Sequence, residues 1–145
     1  MTTIAERYHD ISVGHRVFGQ GGKCEHLHGH NYRIHFAVKG EVQDVDDVGR
    51  VLDFSVIKER LCLWLEEHWD HKFLVWEQDP WCAHLARIDA TVVWTTFNPT
   101  AENMAEYLCL VVGPQQLAGT GTVLVMVRVE ETRKCSATYT LEEQF

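Results

Sequence analysis

The stretch KCEHLHGHNYRIHF, Lys23 to Phe36, sets one cysteine and four histidines within fourteen residues. These are the residue types that hold divalent metals through imidazole nitrogen or thiolate sulfur. His28 and His30 stand two apart at the entrance to a strand pattern, so both imidazoles leave the same face, and Gly29 between them adds no bulk. A catalytic zinc takes three protein ligands and keeps a fourth position open. His15, in the strand pattern before, is the natural third ligand, because an antiparallel neighbour passes about 5 Å away. Histidines in strands are often only polar surface residues; the third histidine and the cysteine favour metal. Cys24 has two readings. It is a fourth ligand closing a structural site, or a free thiolate beside an open metal, activated by the metal's charge and by Lys23. Spacing alone leaves both open.

Two adjacent residue pairs add chemistry. Asp70 and His71 adjoin where a helical pattern ends, and neighbours on a helix do not face each other, so they share a site only if the backbone has already left the helix. Glu130 and Glu131 near the end of a strand pattern point to opposite faces. A carboxylate fixed there suits an amidine-like N–H edge, gripped through two hydrogen bonds. The run GQGGKC lacks both the first glycine of a phosphate-binding loop and its terminal Ser or Thr, and it lacks the third glycine of a dinucleotide fingerprint. What remains is a glycine-rich loop beside the histidines.

The elements that must carry these residues follow from periodicity. Residues 4–17 suit a long half-buried strand, and NYRIHFAVKG alternates with Tyr32, Ile34, Phe36 and Val38 on one face and Arg33, His35 and Lys39 on the other. From Asp53 the period becomes helical, with Phe54, Ile57, Leu61, Trp64, Leu65 and His68 on one face and an end near Trp69. DPWCAHLARI reads as a short helical turn and ATVVWTTF as strand. A second helix starts at NPTAEN with Asn98 or Thr100 as cap and Glu102 in its first turn, and Gly113 is the expected stop. Two strands, 122–132 and 135–143, close the chain around a TRK turn. The order is α+β.

With 145 residues, no repeat and no Pro/Gly linker, one domain over 1–145 is expected. A net charge of -8 without a clustered basic face argues against nucleic acid as partner. No apolar run approaches membrane-spanning length and no leader pattern opens the chain, so a cytoplasmic protein is expected. Five cysteines without a CxxC pair fit reduced thiols.

Taken together, Gly14-His15-Arg16, Cys24-x3-His28-Gly29-His30, Gly49-x-Val51-x-Asp53-Phe54, Asp70-His71, Asn98-Pro99-Thr100-Ala101-Glu102-Asn103 and Val129-x-Glu131-Thr132 resemble the 6-pyruvoyl- and 6-carboxy-tetrahydropterin synthase family, in its order and over most of the chain. The resemblance implies a tunnelling fold: a four-stranded or slightly larger antiparallel sheet with two helices on one face, closing between subunits into an oligomeric barrel, with a homohexamer expected. It implies zinc on His15, His28 and His30, with Cys24 as catalytic thiol. It further implies proton transfer by Asp70 and His71 and a pterin anchored by Glu131, with Thr132 and Glu102 beside it. Lys23 and Arg16 are expected to meet the substrate triphosphate. The three residues between Cys24 and His28 resemble the carboxy type used in queuosine synthesis, which makes 6-carboxy-tetrahydropterin, triphosphate and acetaldehyde from 7,8-dihydroneopterin triphosphate. The alternatives are a pyruvoyl-forming or aldolase-like relative and a zinc-stabilised, non-catalytic pterin-binding protein. One departure stands out: the segment 75–97 is longer and richer in tryptophan than in compact relatives.

Overall fold

The computed structural model describes residues 2–141, so the last positions of the strand expected over 135–143 lie outside the described residues. Six strands form one sheet in the order β4-β3-β1-β2-β5-β6. Its centre is the antiparallel set expected from alternation: β1 (Ala5–His15), β2 (His28–Gly40), β5 (Thr122–Glu130) and β6 (Ser136–Thr140). The sheet is not wholly antiparallel. β3 (Lys72–Trp76) runs parallel to β1, and β4 (Val93–Thr95) runs parallel to β3. Each of these short strands is entered from a helix rather than a hairpin, and a helix supplies the crossover length that a parallel pair requires.

Among the described residues three helices accompany the sheet. The segments Phe54–Ile57, Lys58–Cys62 and Leu63–His68 are continuous and make α1 (54–68), whose middle turn is π-helical. Asp53 caps it by accepting the Ser55 N–H at 2.9 Å. The extra residue of the π turn lets Ile57, Leu61, Cys62 and Leu65 all face inward. Cys82–Ile88 forms α2, where a helical turn was expected. Ala101–Tyr107, a second π turn Leu108–Val112 and Gly113–Gln116 make α3 (101–116), and the cap is Thr100, which accepts the Asn103 N–H at 3.1 Å.

Gly113 does not stop α3. It has right-handed helical geometry, and a Cβ there would stand 2.7 Å from the Leu124 side chain, so glycine serves the close approach of helix to β5. The helix ends one turn later at Leu117.

The apolar core lies between α1, α3 and one face of the sheet. Tyr32, Ile34, Phe36 and Val38 of β2 are fully buried against Ile57, Leu61, Leu65, Met104 and Leu108. A bulge at Ala37/Val38 opposite β5 shifts the register, and both residues are buried there. The opposite face is wet. It carries Arg33 paired with Asp10 at 2.8 Å, and Glu130 held by His35 and Arg128 at 3.0 Å each.

Candidate metal centre and active site

The ends of β1 and β2 bring three imidazoles together. His15 lies directly opposite His28, and His30 follows on the same face of β2, so strand register alone converges them. One ring nitrogen from each falls within 4.8 Å of the others. The strands meet here at Gly14 opposite Gly29. A Cβ on Gly14 would stand 2.6 Å from the Phe73 ring, and one on Gly29 would stand 2.9 Å from the Val13 carbonyl. Only glycine permits this approach.

The donor set suits a metal. His15 Nδ1 donates to the Pro99 carbonyl at 2.6 Å and His28 Nδ1 donates to the His26 carbonyl at 2.7 Å. Each bond fixes the tautomer that leaves Nε2 with its lone pair, the outer-shell arrangement of metal-bound histidines. Burial pushes the His15 imidazole below its ordinary pKa, against the Pro99 bond, and burial does the same to His30 against the pull of Glu131. Both shifts favour the neutral, ligating form. Glu131 Oε1 stands 3.5 Å from His15 Nε2 and 3.6 Å from His30 Nε2, adding negative charge where a cation would sit.

Tyr32 completes the cluster, and the sequence reading missed it as a polar group. Its hydroxyl is buried, lies 3.3 Å from the His15 ring nitrogens and donates to Glu131 Oε1 at 3.5 Å. Burial, then the charge of Glu131, push the phenol far above its ordinary value, so it stays a donor. The signal was its position: 28, 30 and 32 share one face of a strand.

The other expected residues divide. Cys24, half-buried in a 3-10 turn at Lys23–Glu25, lies outside the three-histidine donor group. Lys23 beside it is exposed. Glu130 and Glu131 do part: the first joins the wet face and the second bends to the histidines. Thr132 Oγ1 accepts the Lys134 and Cys135 N–H groups, which shapes the β5–β6 turn. Glu102 is exposed in the first turn of α3, three residues past Pro99.

Asp70 and His71 have left α1, as a shared site requires. His71 takes a left-handed backbone, φ 59°, and its Nδ1 lies 3.0 Å from Asp70 Oδ2. Asp70 Oδ1 accepts the Ser12 N–H and the His71 N–H donates to the Ser12 carbonyl, so the pair is fastened to β1. The two line an open cavity of about 730 Å³ with Asp10, Asn31, Arg33 and Glu130 of the wet face. His71 also borders a shallow depression with His30, across the Gly14/Gly29 pair.

Arg16 is not available to a triphosphate. It is buried, its Nε donates to Asp79 at 2.8 Å, and its guanidinium stacks 3.6 Å over the Trp81 ring. The sequence carried no sign of this partner, which lies 63 residues away.

Known proteins resemble this chain in sequence and fold. The family model described as 6-pyruvoyl tetrahydropterin synthase matches residues 4–142. The 6-carboxy-5,6,7,8-tetrahydropterin synthase of Rickettsia felis is 29% identical over 87% of this chain and 91% of its own length. The probable 6-carboxy-5,6,7,8-tetrahydropterin synthase of Halobacterium salinarum is 36% identical over 68% of this chain and 61% of its own. The structure of Caenorhabditis elegans 6-pyruvoyl tetrahydropterin synthase superposes with a TM-score of 0.70 at 26% identity, covering 97% of this chain and 96% of that one. An uncharacterized protein of Wolinella succinogenes shares the fold at a TM-score of 0.82 and 21% identity, with 97% and 98% covered. The mixed sheet with its helices on one face is thus a tunnelling fold, and the chain belongs to the 6-pyruvoyl tetrahydropterin synthase family.

Proposed function

We propose that the protein is a zinc-dependent 6-carboxy-5,6,7,8-tetrahydropterin synthase of queuosine-type deazapurine synthesis, acting on 7,8-dihydroneopterin triphosphate. The observation that carries this reading is the convergence of His15, His28 and His30 with Cys24 left outside the donor set. That is the open arrangement of a catalytic rather than a structural zinc. Zinc held there supplies Lewis acidity to the oxygens of the substrate side chain.

The chain's own groups do the rest. Glu131 anchors the pterin N–H edge, with Tyr32 steadying Oε1 and Oε2 free of hydrogen bonds among the described residues. Cys24 removes the side-chain proton next to the ring, and return of a proton at C6 brings the ring to the tetrahydro level by internal redox. Asp70 orients His71 for proton transfer. Loss of triphosphate and cleavage of the side-chain carbon-carbon bond, with uptake of one water, leave the 6-carboxylate and acetaldehyde. The short Cys24-x3-His28 spacing limits how far the thiol can stand from the histidines that would hold the metal.

The names of the Rickettsia relatives matched over 87% of the chain support the carboxy product. A pyruvoyl product is the second reading, favoured by a Dictyostelium discoideum 6-pyruvoyl tetrahydrobiopterin synthase that is 31% identical over 83 residues. Anaerobic incubation of the zinc-loaded protein with dihydroneopterin triphosphate separates the two. Mass spectrometry and an alcohol-dehydrogenase-coupled assay should find 6-carboxy-tetrahydropterin and acetaldehyde. Triphosphate release with 6-pyruvoyl-tetrahydropterin and no acetaldehyde would install the second reading.

A further inference from the structure

The loop 16–27 leaves the sheet directly after one expected metal ligand, His15, and rejoins it at another, His28, which is the cross-strand partner of the first. Its ends are fixed by that register; its middle, which carries Cys24, is not. Gly19 and Gly21 take φ of 88° and 79°, and both are exposed, so this segment has no conformational preference to hold the thiol in place. The order must come from pins.

The structure supplies them through one buried side chain. Arg16 Nη1 donates to the Glu25 carbonyl at 3.0 Å, next to Cys24, so the guanidinium ties the start of the loop to its far end. Alongside it the Val17 N–H donates to the Cys24 carbonyl at 2.8 Å and the Gly19 N–H to Glu25 Oε1 at 2.7 Å. The guanidinium is gripped from outside by the tryptophan-rich segment. Asp79 Oδ2 accepts Arg16 Nε at 2.8 Å, its Oδ1 accepts the Trp81 N–H at 2.9 Å, and the Trp81 ring covers the guanidinium plane at 3.6 Å. The Asp79 side chain is wholly buried. A buried ion pair is a poor way to gain stability, since desolvation offsets its Coulombic attraction. It is a good way to fix one geometry, and only arginine can fork to Asp79 and Glu25 while stacking on Trp81.

We infer that Arg16, Asp79 and Trp81 form a clamp that positions the Cys24 loop, so that Arg16 is a positioning residue and the segment 75–97 a brace for the catalytic thiol. The catalytic part of this inference rests on the function proposed above; the positioning part does not. Misplacement of a reacting group by about 1 Å costs on the order of a hundredfold in rate, so a loosened clamp lowers turnover without touching the substrate.

The test uses the full-length, zinc-loaded protein with Cys135→Ser in the background, because Cys135 is the exposed thiol that would compete for reagent. Arg16→Lys, Asp79→Asn and Trp81→Leu are compared with the parent; Trp81 is 45% exposed, so its replacement keeps the test alive if the buried pair fails to fold. Hydrogen exchange of the Val17 amide should quicken about tenfold or more while the Tyr32 and Ile34 amides of β2 keep their protection. Alkylation of Cys24 by iodoacetamide should change by a similar factor of about ten, with zinc content unaltered. Turnover number should fall about 10- to 100-fold with KM within about threefold. The clamp is refuted by Val17 exchange and Cys24 alkylation within about twofold of the parent in a folded variant. It is equally refuted if β2 loses protection in parallel, which marks a global stabilising role, or if KM rises at constant turnover number, which marks a substrate ligand. If the parent itself turns over no pterin triphosphate, the proposed function fails, and exchange and alkylation still decide the clamp.

Discussion

His15 and His28 are each oriented by a backbone carbonyl, that of Pro99 before α3 and that of His26 at the loop's end, while His30 has the Glu131 carboxylate 3.6 Å from its Nε2. The candidate metal centre is therefore an intersection of strand register with separate backbone paths. The triad was legible because a period of two on β2 and one antiparallel neighbour suffice to gather it. Arg16 was not, since a basic residue beside a chemical cluster reads as an anion ligand until its buried acid, distant in sequence, is seen. Cys24 was legible as a candidate thiol beside the histidines but open in role, and its place outside the donor group sets what to expect. His28→Ala should lose most of the roughly one zinc per chain, because two nitrogens and a carboxylate make a much weaker site. Cys24→Ala should keep its zinc and lose turnover by at least about a hundredfold. Elemental analysis of both purified variants checks the first statement and assay the second; zinc lost with Cys24 would mark a closed, structural centre.

Helical periodicity located α1 and α3 because their apolar faces are nearly continuous, whereas the π turn in each is set by packing against the sheet and leaves no compositional trace. Gly113 misled for a related reason: glycine ends helices through a left-handed backbone, yet here it remains right-handed and admits Leu124. Of the two short strands, β4 was visible in ATVVWTTF but β3 was not read from the sequence, and their parallel sense depends on which edge of the sheet each helix delivers them to. Two π-turn cysteines give these helices a titratable signature. Burial pushes the Cys62 and Cys109 thiols up to about 11. The native protein thus keeps protons that the unfolded chain releases above about 9, and with more protons bound to the folded form its stability falls as pH rises. The loss approaches roughly 2–3 kcal/mol per thiol once both states are ionised. Urea midpoints compared at pH 8 and pH 10.5 should show it, and Cys62→Ser with Cys109→Ser should remove most of the slope. An equally steep alkaline loss in that double variant would assign the effect to other groups.

At the scale of the whole molecule, the sheet is unfinished. β3 covers β1 only from Val13 to His15, so the stretch from Ala5 to Ile11 has a ladder partner on one side alone. Among the described residues nothing pairs with the outer edge of β6 either. Open edges of this kind invite another chain, and a closed ring of copies is how a small sheet removes them. Chemistry points the same way. The histidine triad shares the core-facing side of the sheet with Tyr32, whereas Asp70 and His71 open into the cavity of the wet side, among Asp10, Arg33 and Glu130. A second copy that brings its Asp70 and His71 to the first copy's Cys24 would complete both sites. A small sheet with open edges already argues for association, but no alternation or cap in one sequence encodes which groups would meet across it. Light scattering should therefore give about 100 kDa, six copies of the 16.7 kDa chain, rather than one. Mixing should be more telling than mass. Cys24→Ala and His71→Ala are each expected to be inactive alone, but subunits of the two, dissociated and reassembled together, can form sites that hold one intact thiol and one intact Asp70–His71 pair. Recovery of a substantial fraction of parental turnover in the mixture would place the two groups on different copies. A 16.7 kDa species that is active at micromolar concentration would instead require every group to act within one chain, and the shared-site arrangement would be wrong.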